Sequence, residues 1–100
     1  MLSRYELAYS DLDVNAAAQV YPKVDKKALG RAFATLDSQQ VRLSECQIQI
    51  AGAASARAIC NGTMMWTPKV GGGLREQPRQ WQFDLRRAEE GWRIGNVSVR

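Results

Sequence analysis

Histidine is absent from the 100 residues, and that absence removes more chemistry than any other feature of the composition. The usual general base, the Ser/His and Cys/His nucleophile systems and most transition-metal sites disappear with it. Two cysteines without histidine supply too few ligands for a tetrahedral zinc, so neither a metal site nor a cofactor is expected. Long apolar runs are also missing. No stretch approaches the ~18 residues a membrane helix needs, and the first residues lack the basic start and apolar stretch of a signal peptide. The segment therefore reads as soluble, with no membrane insertion, and cytoplasmic and periplasmic settings both fit. Gly71-Gly72-Gly73 is a glycine run without the spacing, the lysine or the following helix of a phosphate-binding loop. There are no internal repeats and no low-complexity segments.

What is present suits one domain over residues 1–100: 45% hydrophobic residues are enough for one core and leave little for a second. Met1 ahead of a helical pattern is compatible with a true start and with a boundary inside a longer protein. The net charge of +4 lies in the second half, since residues 51–100 carry eight basic and four acidic side chains against six of each in residues 1–50. An anionic partner is one reading of Arg57, Lys69, Arg75, Arg79, Arg86, Arg87, Arg93 and Arg100. The solvated face of a sheet, where period-2 alternation puts polar side chains, is the better one. Nucleic-acid binding is not expected, because no aromatic and basic interleaving accompanies the charge.

Leu2, Tyr5, Ala8, Tyr9 and Leu12 recur at helical spacing and predict an amphipathic helix ending near Asp11. Asp13 is placed to cap a second short helix with Val14, Ala17, Ala18 and Tyr21 on its buried stripe, stopped by Pro22. Asp25 repeats the device for a third, in which Leu29, Ala32, Phe33 and Leu36 form the stripe. After Ser38 the period changes from 3.6 to 2, so strands follow helices and the class is α+β.

Four strands are expected in meander order. Cys46, Ile48 and Ile50 alternate with glutamines, a turn follows at Gly52 to Ala54, and Ala56, Ala58, Cys60, Met64 and Trp66 line the return. Trp81, Phe83 and Leu85 mark the third strand, and Trp92, Ile94, Val97 and Val99 the fourth. The stretch from Pro68 to Arg79 reads as one long loop, a hairpin tip and candidate lid. Val41 and Leu43 are out of step with Cys46, and Trp92 and Ile94 with Val97 and Val99. Each slip predicts a bulge, the second near Gly95.

With the turn at Gly52 to Ala54, opposed positions sum to 106, which sets Cys46 directly opposite Cys60 on one face. A cross-strand disulfide and two reduced thiols packed as small core residues both remain open. Asp84 falls by parity on the outer face, paired with an arginine. No residue is assigned a catalytic role. The aromatics Tyr5, Tyr9, Phe33, Trp66, Trp81, Phe83 and Trp92 either fill the core or line a lipophilic cavity; Tyr5, Tyr9, Tyr21, Phe33, Met64, Trp66, Trp81 and Phe83 are the candidate ligand-binding set.

The first-helix pattern Tyr5-Glu-Leu-Ala-Tyr9-Ser-Asp-Leu-Asp13, and the closing Trp81-Gln-Phe-Asp-Leu-Arg-Arg87 with Gly91-Trp92-Arg-Ile94, resemble the NTF2-like (cystatin-like α+β, ketosteroid isomerase/SnoaL-like) superfamily over essentially the whole chain. The similarity is greatest to small domains attached to bacterial signalling proteins, including some serine/threonine kinases. The resemblance implies helices packed in the concavity of a curved four-stranded antiparallel sheet, a pocket between helices and sheet, and a homodimer through the sheet's outer face. The function it implies is a non-enzymatic domain binding a small apolar ligand or a partner protein, because enzymatic members place acids, a tyrosine or a histidine inside the cone. The alternatives are a small lyase or isomerase using Tyr9 or Tyr21 with Asp11 or Asp13, and a structural dimerisation unit whose cone is filled by Phe33, Met64, Trp66 and Trp81.

Overall fold

Two aspartates set the helical third of the chain. In the computed structural model, which describes residues 2–100, the Asp13 carboxylate accepts from the Ala16 N–H and that of Asp25 from the Ala28 N–H, each at 3.0 Å. Each satisfies an amide that the first helical turn leaves without a partner, a contribution of about 1 kcal/mol. They open α2 (Val14–Val20) and α3 (Lys26–Ala34), which follow α1 (Leu2–Ser10). Leu12 does not extend α1; it sits at φ 54° in the left-handed region and folds the chain back, with the Asp13 N–H donating to the Ala8 carbonyl at 2.9 Å. On α2 the buried positions are Ala17 and Val20. Tyr21 caps that helix and is only half-buried.

Four antiparallel strands follow in the order β1-β2-β3-β4: β1 (Leu36–Gly52), β2 (Ser55–Pro68), β3 (Arg75–Ala88) and β4 (Gly91–Val99). The meander and both bulges are as the periodicity predicts. Pairing slips between Leu43 and Glu45, which leaves Ser44 extra, and β3 to β4 slips so that Leu85 faces Ile94 while Asp84 faces Asn96, which leaves Gly95 extra. Each extra residue restores the apolar set to the inner face. That face carries Tyr5 and Val20 of the helices against Val41, Ala56, Ala58, Cys60, Trp81, Phe83, Leu85 and Ile94.

The register at the first hairpin pairs Ile50 with Ala56, Ile48 with Ala58 and Cys46 with Cys60. The cysteines are joined, with Cα atoms 4.1 Å apart and 14 residues of sequence separation. Closing a loop of that size is worth about 3 kcal/mol by the chain-entropy model.

The loop between β2 and β3 is shorter than the sequence suggests. Only Lys69 to Leu74 lie outside strands, and Pro78 sits within β3 opposite Thr63. Gln80 exchanges backbone bonds with Arg100 at 3.1 and 2.9 Å, so Pro78, two residues earlier, turns the side that lacks an N–H toward the same edge, where β4 has already ended. A proline there breaks no ladder bond. Gly71, Gly72 and Gly73 all have positive φ, a conformation glycine adopts without steric cost.

Candidate functional site

Helical spacing puts Tyr5 and Tyr9 on one face of α1 and Leu29, Ala32 and Phe33 on one face of α3. Strand alternation aims Gln39 and Val41 of β1, Met64 and Trp66 of β2, Trp81 of β3 and Val99 of β4 at the same space. These side chains, with Thr35 and Leu36, line a cavity of about 410 Å³, open on one side, between α1, α3 and the sheet. Of the candidate ligand-binding set, Tyr5, Tyr9, Phe33, Met64, Trp66 and Trp81 come together there. Tyr21 and Phe83 do not: Tyr21 packs against the outside of the core cluster, and Phe83 is fully buried behind Tyr5, ring centroids 5.0 Å apart and edge-on. The hairpin tip proposed as a lid does not line the cavity; its Val70 and Leu74 are exposed.

Tyr5 stacks on Tyr9 at 4.2 Å, and Tyr9 meets Phe33 edge-on at 5.5 Å, a chain of rings that fixes the wall. Gln39 is the one buried polar residue among those described, and its Nε2 donates to the Tyr9 carbonyl at 2.8 Å. Two further bonds run from β1 to α1: the Val41 N–H donates to Ser10 Oγ at 3.1 Å, and the Leu43 N–H to Glu6 Oε2 at 3.0 Å. Sequence periodicity did not single out these three polar residues, because each acts on or through a backbone group of another element.

Burial raises the Tyr5 phenol well above its ordinary range, with the neighbouring Tyr9 adding to the shift and the Trp81 indole opposing it. Tyr9 is pushed up to about 12, again by burial first and then by Tyr21, with Tyr5 opposing. Both therefore stay protonated at neutral pH; the Tyr5 hydroxyl is engaged with Tyr9, which leaves the Tyr9 O–H to donate a hydrogen bond into the cavity. A phenol held above its unfolded value of 10.0 stabilises the fold fully below pH 10 and loses that contribution as pH rises toward 12. The melting temperature is expected to fall over this window and to fall less in Tyr9→Phe; equal slopes in the two proteins would contradict the burial of Tyr9.

No carboxylate joins the phenols. Asp11 is exposed in the turn after α1, Asp13 is exposed and capping α2, and Glu6 is turned to the edge of β1. The tyrosine and carboxylate pair required by the lyase or isomerase reading is thus not assembled. Asp84 lies on the outer face as expected, 3.3 Å from Arg57. These two and Arg86 line a larger concavity, about 530 Å³, at the Gly52 end of the sheet. There Arg57 and Asp84 are half-exposed and satisfy one another.

No protein-family model matches the sequence, and no curated protein matches it. Solved structures do match its backbone. A nuclear transport factor 2 (NTF2-like) superfamily protein from Salmonella enterica serovar Typhimurium aligns over 99% of this chain and 84% of its own, with a TM-score of 0.88 and 13% identity. The chain has the NTF2-like fold. A hexachlorocyclohexane dehydrochlorinase from Novosphingobium barchaimii aligns over 99% of this chain and 80% of its own, with a TM-score of 0.80 and 7% identity. A Xanthomonas campestris protein named for a calcium/calmodulin dependent protein kinase II association domain aligns over 98% and 80%, with a TM-score of 0.79 and 13% identity. At such identities the likeness is one of fold, and NTF2-like structures include both enzymes and association domains, so the chemistry has to be argued from the cavity.

Proposed function

We propose that this NTF2-like chain is a binding domain that holds a small, neutral, largely apolar molecule in the cavity between α1, α3 and the sheet, without transforming it. The observation that carries this reading is the composition of the wall: Tyr5, Tyr9, Phe33, Trp66 and Trp81 around about 410 Å³, with no carboxylate, amine or guanidinium among the lining residues. That volume lies within the roughly 300–1,000 Å³ usual for small-molecule sites. A charged ligand would be desolvated there with nothing to pair it, which opposes binding. A ring-bearing molecule with one acceptor atom would stack on the aromatics and take a hydrogen bond from a phenol.

An elimination or isomerisation needs a base within reach of the reacting proton, and the lining supplies only phenols held protonated. The fold neighbour named as a dehydrochlorinase therefore lends this chain no activity.

The test is a titration with the neutral probe N-phenyl-1-naphthylamine, read by energy transfer from Trp66 and Trp81. Saturable binding of one probe per chain, insensitive to salt, is expected. Ala32→Trp, at an exposed position of α3 on the cavity rim, should weaken binding by about tenfold or more while leaving the melting temperature unchanged. Unsaturable uptake, or equal affinity in the folded variant, would contradict the proposal.

A further inference from the structure

β1 is an edge strand, and only half of its edge is guarded. The amides of Val41 and Leu43 point away from β2 and are taken by Ser10 and Glu6 of α1. Beyond the bulge at Ser44 no described residue of α1 hydrogen-bonds the strand, although Leu2 and Ser3 share a groove with the Ile48 and Ile50 side chains. The close Cα approach of Cys46 to Cys60, 4.1 Å, marks a pair without ladder bonds, so the N–H and C=O groups of Cys46, Ile48 and Ile50 also point away from β2. Among the described residues nothing pairs with them. Their side chains complete the apolar inner face, yet Ile48 is 58% and Ile50 71% exposed.

Exposed edges are normally blunted by charge, proline or a bulge. From Cys46 to Ala56 the sequence Cys-Gln-Ile-Gln-Ile-Ala-Gly-Ala-Ala-Ser-Ala contains none of the first two, and pairing is regular from Cys46 to Ile50. The opposite edge is defended: β4 is bulged at Gly95, carries Arg93 and has α2 packed against it.

We propose that the bare half of β1 pairs with the same strand of a second copy of this chain, joining two four-stranded sheets about a two-fold axis. The segment is complementary to itself. With Gln49 on the axis, Ile48 lies opposite the partner's Ile50 on the inner face, twice over, and Gln49 opposite the partner's Gln49 on the outer face. Glu45 lies outside the paired stretch; Arg57 stands beside Gln49 on β2, but the two Gln49 strands separate it from the partner's Arg57 and each is paired with its own Asp84 at 3.3 Å, so no like charges meet directly. A β1-to-β4 arrangement would instead propagate as an open chain and would have to pair with the bulged, arginine-bearing edge. The outer face, the dimer surface implied by the resemblance, carries Gln47, Arg57, Gln82, Asp84 and Arg86 and is the competing interface.

Sedimentation velocity of the 100-residue chain across micromolar concentrations tests this. The wild type is expected to form a reversible dimer. Ile48→Lys is expected to weaken it by about tenfold or more, and Ile59→Glu on the outer face to leave it intact. Gln49→Cys should form a disulfide-linked dimer with oxidised glutathione, and Gln47→Cys should not. A wild type that stays monomeric, a dimer that survives Ile48→Lys, or one broken by Ile59→Glu alone would overturn the proposal. Should a variant fail to fold, hydrogen exchange of the wild type decides: the Ile48 and Ile50 amides gain protection as concentration rises, and unchanged protection refutes the pairing.

Discussion

Gly62→Ala, the addition of one methyl group, is expected to cost about 3 kcal/mol. Gly62 lies on the inner face of β2 opposite Leu43, at the place where β1 slips by one residue. A Cβ there would run into the carbonyl oxygen of Arg42, stand 3.1 Å from that residue's carbonyl carbon and 2.9 Å from Cζ3 of Trp81. Two of these three atoms are backbone of a paired strand and cannot swing aside. Relief would require re-registering β1 across its bulge, which would move the apolar residues to the wrong face. Urea unfolding followed by tryptophan fluorescence checks this. A loss below about 1 kcal/mol would show that the two strands are not held so close.

Trp81→Ala is expected to cost about 3–5 kcal/mol, the range for removing a buried aromatic. Trp81 is 2% exposed, faces Cys60 across the ladder, covers Gly62 and forms part of the cavity wall. Its removal opens the cavity toward the disulfide, so probe affinity should fall together with stability. The two substitutions are coupled. Removing the indole from a Gly62→Ala background relieves the ring contact and leaves the backbone clash, so the double variant should be less stable than Trp81→Ala alone by more than about 1 kcal/mol, though the two losses should not add in full. Strict additivity would mean that the ring and the new methyl never meet.

The contrast between these two sites shows what can be read from residues alone. Trp81 stands out as the start of an alternating apolar strand, and its inward orientation follows from parity. Gly62 looks like any glycine in a strand, because its constraint comes from a carbonyl of another strand and an indole of a third. The Cys46–Cys60 pairing was legible by counting, since a tight turn fixes every opposed pair that follows. The bulges at Ser44 and Gly95 were legible as slips in the alternation. Pro78 misled because its penalty depends on whether a neighbouring strand pairs with it on the side that lacks an N–H, and no described residue of β4 does. Periodicity placed Tyr21 and Phe83 with the cavity aromatics because it reports which face a side chain is on and not how deep it lies. Gln39, Glu6 and Ser10 were missed for the complementary reason: their work is done on backbone groups, which carry no sequence signal.

The fold and the cavity together lead to one central claim, that an uncharged molecule occupies the space between Tyr9, Phe33, Trp66 and Trp81. Native mass spectrometry of the protein taken directly from cells tests it. A neutral adduct of a few hundred daltons, at one copy per chain and lost in Ala32→Trp, is the predicted result. A bare chain that also fails to take up N-phenyl-1-naphthylamine at saturation would contradict the claim and leave the cone as packing alone.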